Sequence, residues 1–412
     1  MADQSAHDSE IVGRVIDLLG RRDPAQRHEA RLLWASRPAL YLLLRLSSRG
    51  GPVRRVPKLG WVVNDPVVAR RILNDGAHFT LLGEGGVGHL WAQVLGDYVY
   101  RIFDGPGHAD LRSRARDLFT DATARPLVRR VFDPALQPAV ERLRAGEVVD
   151  LADLSRVLVG RMMADLLGLD LPPEDEHYRA VFGTGERLAK LALGSAASTE
   201  LPPEVVAQAK PIIADLTRNV PAAFAEAPAE TLLGRCRELG LSLEETSGIA
   251  ALLMVAGTET AATAMSRTVA LLHDTGQQHQ LRESPELLPD AVREGLRVTT
   301  PAPLIGRSVS NDVTVGGASM RAGERVMLLT YVANNRVGRF DVNRPYVPET
   351  RQLWFGAGRH LCLGAALARA EISHLLQAIL DAGPIRVVSR RPARGVLIPS
   401  YAELRITTAP PR

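Results

Sequence analysis

The chain has 412 residues, 46% of them hydrophobic, enough to bury one large core or two ordinary ones, so length alone leaves the domain number open. Net charge is +4, the acidic residues are spread evenly and no basic run interleaves with aromatics, a pattern that argues against nucleic-acid partners. The start is polar and acidic, and the longest uncharged apolar stretch, residues 249–257, falls well short of the ~20 residues of a membrane span, which points to a soluble, cytoplasmic protein.

No Pro- or Gly-rich linker, low-complexity tract or internal repeat divides the chain, so one domain over residues 1–412 is expected, with a loose tail of about ten residues. A β-like stretch runs from Val53 to Val63. Asp65-Pro66 then reads as an N-cap with proline at the first helical position, opening a helix to Asn74. Apolar periodicity predicts helices over Ala109–Leu118, Leu151–Leu167, Glu174–Leu193 and Glu204–Ala225. Ser242 with Glu245 three residues on is a capping box, and the periodicity continues to about His273, a helix of about 45 Å. Another helix is predicted over Ser284–Val298. Strand signals gather at Leu304–Val315 and Arg325–Leu329, and again near the end at Ile385–Val388 and Leu397–Ile406. The expected fold class is mainly α with a small β region.

Chemistry concentrates in the run Phe355-Gly356-Ala357-Gly358-Arg359-His360-Leu361-Cys362-Leu363-Gly364. Gly356 and Gly358 permit backbone turns closed to other residues, and Leu363 to Ala382 reads as an amphipathic helix leading away from the sulfur. Cys362 is thereby placed at a helix N-terminus, where free amides and the helix dipole favour the thiolate that binds metal. The other cysteine, Cys236, lies between Arg235 and Arg237; pairing it with Cys362 would remove the sulfur the loop offers, so both are expected to be reduced.

The middle of the long helix carries Ala256-Gly257-Thr258-Glu259-Thr260. An interior glycine costs about 1 kcal/mol relative to alanine and a buried carboxylate is expensive, so helix stability does not account for this stretch and a groove beside a ligand would. Close packing of another helix on Gly257 and a solvated Glu259 are the plain alternatives. Further on, Glu294 and Arg297 face each other three apart, and His108 and Arg112 share a face four apart. Arg112, Arg114 and Arg116 cluster, and Arg359 and Arg369 flank the cysteine; a solvated face and a binding patch both fit them.

The cysteine run resembles the haem-binding loop of the cytochrome P-450 family, Phe-x-x-Gly-x-His-x-Cys-x-Gly, and Ala365 to Glu371 continues in that style. Residues 256–260 resemble the family's Ala/Gly-Gly-x-Asp/Glu-Thr motif, in which the helix loosens to admit dioxygen beside the iron. By that resemblance Cys362 is the metal ligand, Thr260 steadies the iron-bound oxygen group and Glu259 relays protons to its outer atom, while Ala256 and Gly257 border the haem. His108, Arg112, Arg307 and His360 become anchors of the haem propionates, with Phe355, Gly356 and Gly364 shaping the loop. Glu294 and Arg297 resemble the Glu-x-x-Arg pair that locks to a third residue, here Arg344, in a structural role. Leu252, Leu253, Leu304, Ile305 and Tyr401 would face the substrate. The chain departs from the family at residues 333–340, where several residues are missing before Phe340, so the surface that receives an electron donor is expected to be reshaped.

The resemblance implies a haem-thiolate monooxygenase of the soluble bacterial type. It would carry haem b and use dioxygen to hydroxylate, or otherwise oxidise, an apolar small molecule such as a secondary metabolite. No flavin or nicotinamide fingerprint and no iron–sulfur cysteine set is present, so electrons from NAD(P)H would arrive through a ferredoxin and a ferredoxin reductase. A peroxide-using or non-oxidative haem-thiolate enzyme and a haem-based sensor are the alternatives.

Overall fold

In the computed structural model, residues 23–83, 86–95, 103–105, 107–193 and 200–408 are described. The expected tail, residues 1–10, lies outside them.

The long helix runs Leu243–Thr275, and the other helices are arranged around it. Its capping box forms: the Glu245 amide donates to Ser242 Oγ at 3.1 Å and the Ser242 amide to Glu245 Oε2 at 2.8 Å. Gly276, with φ 71°, ends it in the left-handed region. Close approaches fix its neighbours. A Cβ on Gly295 would stand 2.4 Å from Thr268 Oγ1, and one on Gly185 would stand 2.7 Å from Thr258 Oγ1, so the helices Leu288–Thr299 and Asp175–Leu193 touch it where they lack side chains. Ser266 Oγ donates to Ser155 Oγ at 3.0 Å in the helix Leu151–Leu167. This helix, Leu243–Thr275, is long and apolar enough by length and composition to cross a membrane, yet 61% of its most apolar stretch is buried inside the protein, as in a core helix.

Three small sheets accompany the helices among the described residues. Strands β1 (Val53–Val56) and β2 (Gly60–Val63) form a hairpin, joined in the order β1-β2-β8-β5-β3 by β8 (Arg325–Leu328), β5 (Ile305–Val309) and β3 (Phe79–Thr80). β2 and β8 run parallel, with Val62 opposite Met327; the other pairs are antiparallel. β4 (Val149–Asp150), β10 (Tyr401–Thr408) and β9 (Ile385–Pro392) form the second sheet, and β6 (Val313–Val315) pairs with β7 (Ala318–Met320).

Most expected elements appear near their expected bounds. Asp65 Oδ1 accepts from the amides of Val67 and Val68, both at 3.0 Å, and opens Pro66–Asn74. The stretch expected as one helix over Glu204–Ala225 is two, Pro203–Leu216 and Val220–Glu226, the second opening with Pro221 in its first turn, where a missing N–H costs no helical bond. The expected Ser284–Val298 helix begins as a 3-10 turn at Pro285–Leu287 before Leu288–Thr299. The 24-residue helix Asp121–Arg144 was not expected, since Pro126, Pro134 and Pro138 interrupt its pattern. Each proline costs about 3 kcal/mol in a helix interior. Burial of Val128, Phe132, Leu136, Val140 and Leu143, at ~1.5–3 kcal/mol each, is enough to outweigh them.

Candidate active site

The cysteine loop is built by its own backbone. Gln352 takes φ 50°, a 3-10 turn follows over Leu353–Phe355, and the chain reverses at Gly356 (φ 77°) and Gly358 (φ 66°). The Cys362 amide donates to the Phe355 carbonyl at 2.9 Å and closes the loop. A Cβ on Gly358 would stand 2.6 Å from the Leu73 carbonyl oxygen, so only glycine lets the loop lie on the helix Pro66–Asn74. Gly364 then caps the helix Ala365–Ala382.

Solvent reaches Cys362, although protein atoms surround its sulfur densely. Burial pushes its thiol up, while the Gly364 amide hydrogen-bonded to the sulfur and the charges of Arg112 and Arg369 pull it back. The expected thiolate-favouring groups are therefore present, and burial opposes them. A metal cation is the further charge that deprotonates a coordinating thiol. Cys236 is unpaired and buried, with burial pushing its thiol up to about 11.

The groups expected to face the propionates are distributed unequally. Arg307 is 3% exposed and donates to its neighbour's carbonyl, Gly306 O, at 2.9 Å; among the described residues no carboxylate forms an ion pair with it. Burial lowers it to about 10, with the Asp104 charge raising it and the Arg359 charge lowering it further. A buried guanidinium in that position calls for an anion. Arg112 donates to the Leu361 carbonyl beside the cysteine. His108 is buried with its ring 5.2 Å from that of His360. His360 Nε2 is engaged with the Phe103 carbonyl and, at 3.1 Å, with Asp104 Oδ1.

Asp104 was not anticipated, and it organises this edge. It accepts from Thr80 Oγ1, from the Leu81 amide at 2.9 Å and from His360, and it pairs with Arg359. Burial alone would raise its carboxyl, but the hydrogen bonds from His360 and Thr80, the His360 charge and the Leu81 amide together hold it at about 2. In the sequence it is a lone aspartate beside glycine, which reads as an ordinary turn residue.

On the long helix the backbone runs unbroken through residues 256–260, so the loosening implied by the resemblance is not a feature of this structure. Thr260 Oγ1 donates back to the Ala256 carbonyl at 2.7 Å, and Ala256 itself is exposed. A Cβ on Gly257 would meet Met163 Cε at 3.3 Å, which leaves close packing as one reason for that glycine. Glu259 is largely buried. That burial, reinforced by the nearby Glu186 carboxyl and partly offset by the Ile398 amide that donates to it, raises Glu259 to about 7. Neither Glu186 nor Ile398 carried a sequence signal.

Glu294, Arg297 and Arg344 meet. Arg297 Nε and Nη2 each donate to Glu294 at 2.7 Å, and Arg344 Nε reaches Glu294 Oε2 at 3.2 Å. The two arginines also bind the carbonyls of Asn334, Val337, Gly338 and Arg339, so the shortened segment is clamped directly to this pair. Among the expected substrate residues, Leu252, Leu253, Leu304 and Ile305 are partly buried. Tyr401 is 3% exposed, within reach of the charges of Arg390, Glu29, Asp274 and Arg267.

A haem fits this donor set. The Cys362 sulfur is hydrogen-bonded by the Gly364 amide and open to solvent, and the buried Arg307 has no carboxylate partner among the described residues.

Comparison with known proteins agrees. Residues 229–382 match the family model described as Cytochrome P450. The chain is 30% identical over 325 residues to cytochrome P450 YjiB of Bacillus subtilis (strain 168), covering 74% of this chain and 78% of that protein. It is 32% identical over 291 residues to the mycinamicin IV hydroxylase/epoxidase of Micromonospora griseorubida, covering 68% and 71%. The crystal structure of CYP109B1 from Bacillus subtilis superposes with a TM-score of 0.72 at 23% identity, over 91% of this chain and 100% of that one, which speaks for the fold. Sequence, fold and the cysteine loop converge: the chain belongs to the cytochrome P450 family and is a cytochrome P450 monooxygenase.

Proposed function

We propose that the enzyme uses dioxygen to hydroxylate or epoxidise an apolar small molecule of secondary metabolism, as a single domain in the cytoplasm. The observations that carry this reading are the closed loop that holds Cys362 and the presence of an acid and an alcohol, Glu259 and Thr260, in the middle of the long helix. The haem, of the b type, would be held by Cys362 through the sulfur and by Arg307 through a propionate, with His108, Arg112 and His360 along the same edge. When bound, it supplies the redox chemistry that places one oxygen atom in the substrate and the other in water.

The protein's own residues would direct that chemistry. The Gly364 amide and the loop hold the sulfur in place. Thr260 orients dioxygen with a hydroxyl now satisfied by Ala256 O, and Glu259, poised between its two protonation states near neutral pH, gives up protons at its carboxyl oxygen. Leu252, Leu253, Leu304 and Ile305 would exclude water and receive the substrate. The name of the Micromonospora relative, a hydroxylase/epoxidase of mycinamicin IV, supports a secondary metabolite as substrate.

Electrons would pass from NAD(P)H through a ferredoxin reductase and a small acidic ferredoxin. Reduction that slows as salt is raised would support electrostatic docking; indifference to salt with every ferredoxin tried would overturn it.

The primary test is the absorption spectrum of the dithionite-reduced protein under carbon monoxide, for wild type and Cys362→Ala. A strongly red-shifted Soret band confined to wild type is expected; an ordinary carbonyl-haem band would remove Cys362 as ligand. Incorporation of labelled dioxygen into product, with peroxide alone failing to support turnover, separates the oxygenase from a peroxide-driven enzyme.

A further inference from the structure

The turn between β9 and β10 is closed by the Ala393 amide, which donates to the Ser400 carbonyl at 2.9 Å, and two helices grip it. The Gly395 amide donates to the Ala35 carbonyl, 3.3 Å away, in the last turn of the helix Pro24–Ser36. Thr263 Oγ1 donates to the Pro399 carbonyl at 2.6 Å and Arg267 Nη1 to the same oxygen at 3.2 Å. Both lone pairs of that carbonyl are thus taken by residues four apart on one face of the long helix. Thr263 itself lies one turn beyond Glu259 and Thr260. The residues that lead into Pro399, Val396-Leu397-Ile398, are apolar; Val396 and Leu397 are partly buried and Ile398 is buried.

Arg267 is 0% exposed, and Glu29, on the helix Pro24–Ser36, is 4% exposed. Arg267 Nε donates to Glu29 Oε1 at 3.1 Å and Nη2 donates to Glu29 Oε2. Stability does not account for such a pair: desolvating two charges cancels most of their attraction, and apolar side chains of like volume would fill the space as well. What the pair supplies is direction. The guanidinium fork is rigid, so a carboxylate that occupies Nε and Nη2 fixes where Nη1 points, and it points at Pro399. We propose that Glu29 and Arg267 are positioning residues of the active site: by fixing the Pro399 carbonyl they set how closely residues 396–398 border the ligand space beside Thr260. The inference rests on the reading of Cys362 and Thr260 given above. Glu29 acts through Arg267 and Pro399 rather than on the ligand. Its partner is 238 residues away in the chain, so no local pattern marks it.

The test uses the haem-loaded enzyme. The double variant Glu29→Met/Arg267→Met removes both charges without leaving either unpaired, and it should melt within a few degrees of wild type. Arg267→Lys keeps the charge but not the fork, and Thr263→Val removes the other bond to Pro399; these two carry the same readouts should the double variant not fold. Hydrogen exchange of the peptide spanning residues 393–400 should be about ten-fold faster in each variant, with the peptides of β9 and β10 unchanged. Soret titrations compare imidazole, which fills only the space at the iron, with 4-phenylimidazole, whose ring reaches beyond it. Imidazole affinity should stay within about two-fold of wild type while 4-phenylimidazole weakens about five-fold. Exchange equal to wild type overturns the proposal. So does faster exchange with both affinities unchanged, which would put the turn away from the ligand space, and so does equal weakening of both ligands, which would mean a general loss of the pocket. If Glu29→Gln melts far below wild type but the double variant recovers melting temperature, exchange and ligand discrimination together, the pair serves stability alone and the proposal falls. A wild-type protein that gives no Soret shift with imidazole would remove the haem reading itself, and the proposal with it.

Discussion

Arg344 and Glu294 stand 50 residues apart in the chain and meet at 3.2 Å, across a carboxylate that Arg297 already holds with two bonds. Glu294 is 1% exposed and Arg297 is 2% exposed, so removing the acid leaves a buried guanidinium without its counter-charge. Glu294→Ala should lose about 3–5 kcal/mol of stability, and Arg344→Ala, at the partly exposed edge, about 1–3 kcal/mol. Urea midpoints of the purified variants measure both. Losses below about 0.5 kcal/mol in both would mean that the clamp on residues 334–339 is decorative.

Gly358 offers a sharper steric test. Its φ of 66° is strained for any other residue, and an added Cβ would press on the Leu73 carbonyl oxygen at 2.6 Å. Gly358→Ala should cost about 2–3 kcal/mol and reduce haem retention. Gly183, in the interior of the helix Asp175–Leu193, has open space around its Cβ position, so Gly183→Ala should stabilise by about 0.5–1 kcal/mol. Thermal melts of the two variants should move in opposite directions.

The contrast between these glycines shows what the sequence can and cannot carry. Asp65, Ser242 with Glu245, and the cysteine loop are legible because capping and tight turns are local: the residues that make the bond lie within a few positions of each other. The long helix was readable for the same reason. Asp104 was not, since it gains His360 as partner from a distant segment and breaks no local pattern. The helix Asp121–Arg144 failed differently, because local proline signals opposed a burial term that only the assembled core supplies.

Asp104 predicts an acid-sensitive edge. Its carboxyl is held at about 2, below the ordinary 3.8, so the folded state favours the charged form more than the unfolded state does. The stability it contributes is fully present above about pH 4 and is lost as pH falls toward 2. Asp104→Asn should therefore be less stable than wild type at pH 7, with the gap narrowing through that acid window. Denaturant midpoints at pH 7, 4 and 3 follow it, and a gap independent of pH would assign the loss to packing rather than to charge.

Glu371 predicts the reverse. It lies two helical turns into Ala365–Ala382, is 2% exposed and, among the described residues, forms no ion pair; burial alone raises it to about 8 from the ordinary 4.5. Between those two values the folded protein keeps a proton that the unfolded chain has lost, so stability falls as pH rises through the window, and the full cost remains above it. At about 1.4 kcal/mol per pH unit the cost is on the order of several kcal/mol. Glu371→Gln preserves the shape and cannot ionise. It should match wild type near pH 5 and exceed it in melting temperature by several degrees at pH 9, where the wild-type helix must either bury a carboxylate or open to hydrate it. Parallel pH–stability curves for the two proteins would show that Glu371 has a counter-charge in solution and that burial does not set its protonation.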